Sequence, residues 1–155
     1  EMKIDSSASS IWEIITKPKN LELVHPFCKS NETINWPGIG SKDILIYHSG
    51  LKYIREFLTW DVEKGYSLLI GEKNKGKSYV VWNIFKKENG NYLRITVYPY
   101  FLRDYPKFVS FLPYYLLIIP KMTEYLKSVI CGIDWYLKTG KKIQKNQFGN
   151  HSWFS

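Results

Sequence analysis

PKMTEYLKSVICGIDWYLKT, residues 120–139, reads as one amphipathic helix. Met122, Leu126, Val129, Ile130, Ile133 and Leu137 recur at helical spacing, with Tyr125 and Tyr136 at the edges of that stripe. Lys121, Glu124, Lys127, Asp134 and Lys138 occupy the other side, so one face must be buried. Pro120 suits a first helical turn, where its missing N–H would be unpaired anyway. Gly140 supplies a left-handed stop, and Lys138, Lys141 and Lys142 complement the negative end of the helix dipole.

Immediately upstream, Phe108, Phe111, Leu112, Tyr115, Leu116 and Ile119 also repeat at helical spacing. Tyr105–Ile119 is expected to form an extra helix, either packed core or a lid. A patch at 108–119 for a membrane surface or a second copy of the chain is the alternative. Further upstream the period becomes two. Lys42–His48, Leu51–Trp60, Tyr66–Glu72, Tyr79–Lys87 and Tyr92–Phe101 read as strands joined by short turns, an antiparallel meander. With Asn89-Gly90 as a two-residue loop, Trp82 and Ile84 share a face with Leu93, Ile95 and Val97 and look inward. The outer face then carries Asn83, Phe85, Arg94, Thr96 and Tyr98. With Ser49-Gly50 as the loop, Ile44, Ile46 and His48 share the inner face with Leu51, Tyr53, Arg55 and Phe57.

At the N-terminal side, Met2–Asp5 reads as a short strand. Ser6–Ser10 offers several helix caps, and Ser10 with Glu13 has capping-box spacing. Ile11, Trp12, Ile14 and Ile15 form a short helix that Lys17-Pro18 ends. A second helical turn is expected over Lys19–Val24. The tail from Lys141 has no period, and Phe148, Trp153 and Phe154 are its candidate anchors.

The chain of 155 residues suits one domain with a single core. Its composition, 45% hydrophobic and 17% aromatic, is that of a globular protein. No apolar run reaches the ~20 residues needed to span a bilayer, and neither end reads as a cleavable signal. Two cysteines, Cys28 and Cys131, are too few for a disulfide framework, which makes a reducing cytoplasm the expected setting. The net charge of +8 invites a nucleic-acid reading. Only Arg55, Arg94 and Arg103 are arginines, however, and scattered lysines lack the forked donors that read phosphates and bases. No nucleic-acid partner is expected.

One strand, two short helices, a meander and a long last helix form an order that resembles the START-like, or SRPBCC, helix-grip superfamily, including its polyketide cyclase/dehydrase-like branch. Ile4–Thr16 is similar to that family's entry into its first helix. His25-Pro26, Pro37-Gly38-Ile39-Gly40-Ser41, and Tyr125–Val129 with Gly132, Trp135–Leu137 and Gly140 resemble its later landmarks. The resemblance implies an α+β fold, a curved antiparallel sheet of about seven strands wrapped around a long C-terminal helix. It also implies a cavity between sheet and helix for a hydrophobic or amphipathic small molecule, lipid or polyketide-like. Some members catalyse cyclisation or dehydration on such ligands, and others only bind them. Function therefore rests on the residues of the site.

Arg55 stands out among these, as a cation on an otherwise apolar face. It could clamp a ligand carboxylate, or it could be held by a neighbour such as Glu56 or Asp43. His25 is a candidate acid or base at the cavity rim, or a packed cap. Tyr53, Phe57, Trp82, Ile84, Ile95 and Val97 are expected to line the cavity from the sheet. Leu126, Val129, Ile130 and Ile133 are expected to line it from the helix. His25 and Cys28 have a metal-like spacing, but no second pair follows, so neither a metal nor a cofactor is expected. No nucleophile elbow or phosphate loop is present. The leading expectation is a binder of a small hydrophobic ligand. The alternatives are a cyclase/dehydratase-type enzyme using Arg55 with His25 or a tyrosine, and a protein-interaction module using the aromatic face around Phe85 and Tyr98.

Overall fold

From the N-terminus the chain forms β1 (Met2–Ile4), α1 (Ala8–Thr16), α2 (Leu21–Val24) and β2 (Cys28–Asn35). The meander follows as β3 (Lys42–Tyr47), β4 (Lys52–Asp61), β5 (Gly65–Gly71), β6 (Ser78–Lys87) and β7 (Gly90–Tyr98). A π-helical turn (Tyr114–Ile118) runs directly into α3 (Ile119–Thr139). The computed structural model describes residues 1–100 and 114–155. Of the expected extra segment Tyr105–Ile119, residues 105–113 lie outside the described residues. The rest is the π-helical turn and the first residue of α3, with Leu116 and Leu117 exposed.

All strand pairs are antiparallel, and the sheet order is β1-β7-β6-β5-β4-β3-β2. The sheet, the two short helices and the long last helix are those of a helix-grip α+β fold. The strand β2 is absent from the sequence reading. It lies at a sheet edge, and its residues Lys29, Ser30, Glu32 and Thr33 carry no apolar alternation to reveal it. At α1, Ser7 rather than Ser10 is the cap: its side chain accepts from the Ser10 N–H at 3.0 Å. Lys17, extended at ψ 135°, ends the helix before Pro18 as expected.

Both hairpin loops differ from the expected ones, with opposite consequences. Lys87 pairs with Gly90, so the β6–β7 loop is Glu88-Asn89 rather than Asn89-Gly90. Each partner moves by two residues, and a shift of two leaves every side chain on its expected face. Trp82, Ile84, Leu93 and Ile95 are accordingly buried. Between β3 and β4 the loop is three residues long, His48-Ser49-Gly50. The Tyr47 N–H donates to Leu51 O at 2.9 Å, and Gly50 takes φ 91°, a conformation suited to glycine. Here the shift is one residue. Asp43, Leu45 and Tyr47 therefore point inward, while Ile44 and Ile46 take the outer face, correcting the expectation for β3. The β4 assignment stands, with Arg55 and Phe57 buried.

The interior divides into a solid end and a hollow one. At the solid end, aromatic rings pack edge to face. Trp36 meets Phe57 at 5.0 Å, Phe57 meets Tyr66 at 5.0 Å and Trp12 meets Trp60 at 5.5 Å between centroids. The Trp36 indole N–H donates to Thr16 O at 2.9 Å and ties β2's end to α1. Toward the other end, α3 crosses α2 at Gly132, where a Cβ would stand 1.9 Å from the Val24 carbonyl oxygen. Gly132→Ala gains up to about 1 kcal/mol of helix propensity. It must also push backbone apart, and overpacking costs about 1–3 kcal/mol. A net loss of stability in urea unfolding is expected, and a net gain would show that the two helices part freely.

Candidate ligand-binding site

The hollow end holds a cavity of about 240 Å3 between the sheet and α3. Strands β5, β6 and β7 give it Leu68, Ile70, Val80, Trp82, Ile95 and Val97, and α3 contributes Met122, Tyr125, Leu126 and Val129. The C-terminal tail contributes Trp153 and Phe154. Most of this lining is apolar, as the alternation of the strands requires. Around the mouth stand Glu72, Lys75, Gly76 and Tyr100. Lys75 Nζ donates to both Glu72 carboxylate oxygens at 2.9 Å, and the Tyr100 ring lies where a Gly76 Cβ would be, 2.2 Å away.

His25, Tyr47, Arg55 and Tyr125 line the opposite, buried end. His25 Nδ1 accepts from the Phe27 N–H at 3.2 Å. Its Nε2 lies 3.0 Å from the Tyr125 hydroxyl, which lies 3.0 Å from the Tyr47 hydroxyl. The three groups form a continuous polar chain in an aromatic box. Phe27 stacks on Tyr125 at 5.7 Å, and Phe154 stacks on Tyr47 at 4.6 Å. Burial, helped by the Arg55 charge, lowers the His25 pKa to about 3, so the imidazole is neutral. Burial likewise pushes the Tyr47 and Tyr125 phenols up, so both keep their protons.

Arg55 is not a free clamp. The three-residue loop puts it directly across from Asp43, and the two side chains pair in the interior. Arg55 Nε donates to Asp43 Oδ1 at 2.8 Å, and Nη2 donates to Oδ2, a bidentate fork. Burial opposes the charge, but attraction and hydrogen bonding from Asp43 outweigh it and raise the guanidinium pKa. Of the two partners considered from sequence, Asp43 is the one found. Glu56 instead bridges Lys42 and Lys77 on the outer face.

The cavity brings together eight of the expected residues: His25, Tyr53, Arg55, Trp82, Ile95, Val97, Leu126 and Val129. Four others are core elsewhere. Phe57 belongs to the solid aromatic end, and Ile84, Ile130 and Ile133 pack in the main core, since α3 must cover α1 and α2 as well as the sheet. Leu45 and Tyr47 escaped the sequence reading through the one-residue loop difference. Tyr125 is central to the helix's buried face, not at its edge. In the tail, Trp153 and Phe154 pack against the body while Phe148 stays exposed. His151, unnoticed in the sequence, secures that tail. Its Nδ1 accepts from the Trp153 N–H at 3.3 Å and its Nε2 donates to Lys121 O at 3.1 Å.

No family model and no curated protein matches the sequence. Solved structures do match. DynU16, from the dynemicin biosynthetic locus, superposes with a TM-score of 0.68 at 13% identity, over 91% of this chain and 46% of that one. The chain thus spans less than half the length of DynU16. Aha1 from Colwellia psychrerythraea, solved as a dimer, gives a TM-score of 0.65 at 11% identity, covering 90% of this chain and 94% of that one. Ara h 8.0201 gives 0.63 at 12% identity, covering 89% and 94%. At such identities the likeness is one of fold. The chain shares the helix-grip fold of these proteins.

Proposed function

We propose that this helix-grip chain binds one small hydrophobic or amphipathic molecule, lipid or polyketide-like, in the cavity between its sheet and α3. The observation that carries this reading is the cavity itself, an apolar chamber of about 240 Å3 with a polar group of three side chains at its buried end. Protonation states favour binding over catalysis. His25 is neutral with its Nδ1 occupied, both phenols keep their protons, and Arg55 is closed on Asp43. Among the described residues at the buried end, none is poised as a general base near neutral pH.

The outer face supports a protein-interaction role less well. Phe85 and Tyr92 stack there at 5.8 Å, but Lys87 lies 4.5 Å from the Tyr92 ring centroid and the Arg94 guanidinium 4.8 Å from that of Phe85. Both cations also pair with Glu1. The aromatic pair therefore carries its own polar cover.

The test is native mass spectrometry of freshly purified protein with organic extraction, together with a thermal-shift panel of medium-chain lipids and aromatic polyketide-like probes. A ligand at ~100-fold its Kd stabilises by about 2.7 kcal/mol. For a chain of this size that corresponds to a rise in Tm of about 5–10 °C. No co-purified molecule and no shift from any probe would remove the proposal.

A further inference from the structure

The hydrogens at the buried end of the cavity can be counted. The Phe27 backbone N–H can only donate, so His25 Nδ1 is an acceptor and, in the neutral ring, the hydrogen sits on Nε2. His25 Nε2–H, Tyr125 O–H and Tyr47 O–H therefore bring three hydrogens to two contacts, each 3.0 Å. Whichever way the two phenols turn, one hydroxyl hydrogen has no acceptor among the described residues. Both tyrosines are more than nine-tenths buried and both line the cavity. A buried donor without a partner is costly, and a ligand oxygen in the cavity relieves that cost.

Charge narrows the chemistry further. Arg55 is the cation among the residues lining this end, and Asp43 already neutralises it through a bidentate fork. A ligand carboxylate would bring a second negative charge to a pair that is complete, and would exchange its hydration shell for a single hydroxyl donor. We infer that the buried end of the cavity selects a ligand carrying an uncharged hydrogen-bond acceptor, such as a carbonyl oxygen, over a carboxylate of the same shape. This rests on the hydrophobic-ligand reading above and names the head group that the ligand presents.

Three probes of one shape test it: 2-acetylnaphthalene, 2-ethylnaphthalene and 2-naphthoate, titrated at pH 7.5 by calorimetry or by displacement of a fluorescent apolar dye. The ketone should bind about tenfold more tightly than the ethyl compound, the value of satisfying one buried donor. The naphthoate should bind at least as weakly as the ethyl compound. Infrared spectra of the bound, carbon-13-labelled ketone should show its carbonyl band below the frequency found in hexane. In His25→Phe/Tyr47→Phe/Tyr125→Phe, which removes all three donors and keeps an aromatic ring at each position, the ketone's advantage should fall at least fivefold and the band should move back toward its hexane position. Equal affinity for ketone and ethyl compound, with no band shift, overturns the inference while leaving the hydrophobic-ligand reading intact. Tightest binding by naphthoate also overturns it and returns Arg55 to the role of clamp. Failure of all three probes to bind, with no co-purified molecule, removes both. Should the triple variant not fold, the wild-type ranking and band position decide.

Discussion

Asp43→Ala is expected to lower the free energy of unfolding by about 3–5 kcal/mol, a large share of the stability of any domain this size. The loss arises less from the missing attraction than from what remains. Arg55 is 3% exposed, and its guanidinium would be left charged in the interior with no counter-ion and two unmet donors. Arg55→Met strands the Asp43 carboxylate, which is fully buried, and should cost a comparable amount. The double replacement Asp43→Leu/Arg55→Met removes both charges together. It should return stability to within about 1 kcal/mol of the starting protein, or above it. Denaturant unfolding of the four proteins forms a double-mutant cycle, and a strongly non-additive result is the expected outcome. Additive single losses under about 1 kcal/mol each would mean that water or another group satisfies the guanidinium, and the closed pair would lose its support.

The second large effect is on pH dependence. His25 has a folded-state pKa of about 3 against 6.5 for an ordinary imidazole. Between those values the unfolded chain binds a proton that the folded one does not, so stability rises with pH across the window. It is fully present above about pH 6.5 and drains away as pH falls toward 3. At pH 4.5, about two pH units below the ordinary imidazole value, the deficit is about 3 kcal/mol. His25→Phe keeps an aromatic ring between Phe27 and Tyr125 and deletes the titration. Its urea midpoint should change less between pH 7.5 and 4.5 than that of the parent, whatever its absolute value. Parallel curves for the two proteins would show that His25 takes up its proton in the folded state at an ordinary pH.

Both effects hinge on residues that the sequence pointed to, and the outcome depended on small matters of register. The helix from Pro120, the meander and the two short helices were legible because each has a period, a cap or a turn residue that local physics reads directly. The burial of Arg55 was legible too, since alternation along β4 placed it inward. What alternation along one strand could not give was its cross-strand partner. That depends on whether two or three residues turn the chain at His48-Ser49-Gly50, and both lengths suit a glycine. The β6–β7 loop was misplaced as well, yet an even shift preserved the faces and hid the error. Tyr47 and Leu45 were lost to the odd one. The edge strand β2 and the anchoring role of His151 went unread for a different reason. Both depend on distant partners, Ile44 O for Asn31 Nδ2 and Lys121 O for His151, which no local pattern announces.

The sheet's two edges also bear on how the chain is made. Met2 pairs with Leu93 and Ile4 with Asn91, so the first strand finds its neighbour only after about 90 further residues have emerged. At ribosomal rates of ~5–20 residues per second, that strand waits roughly 5–20 s with its hydrogen-bonding groups unclaimed. Helix α3, which covers the sheet, emerges later still. The nascent chain must therefore carry a growing meander in which every hairpin can zip locally, while its apolar face, beyond the end where Trp12 of α1 meets Trp60, has nothing to lie against. Contacts of such long sequence separation place the slow step of assembly after α3 has emerged, when β1 pairs with β7 and α3 covers the sheet.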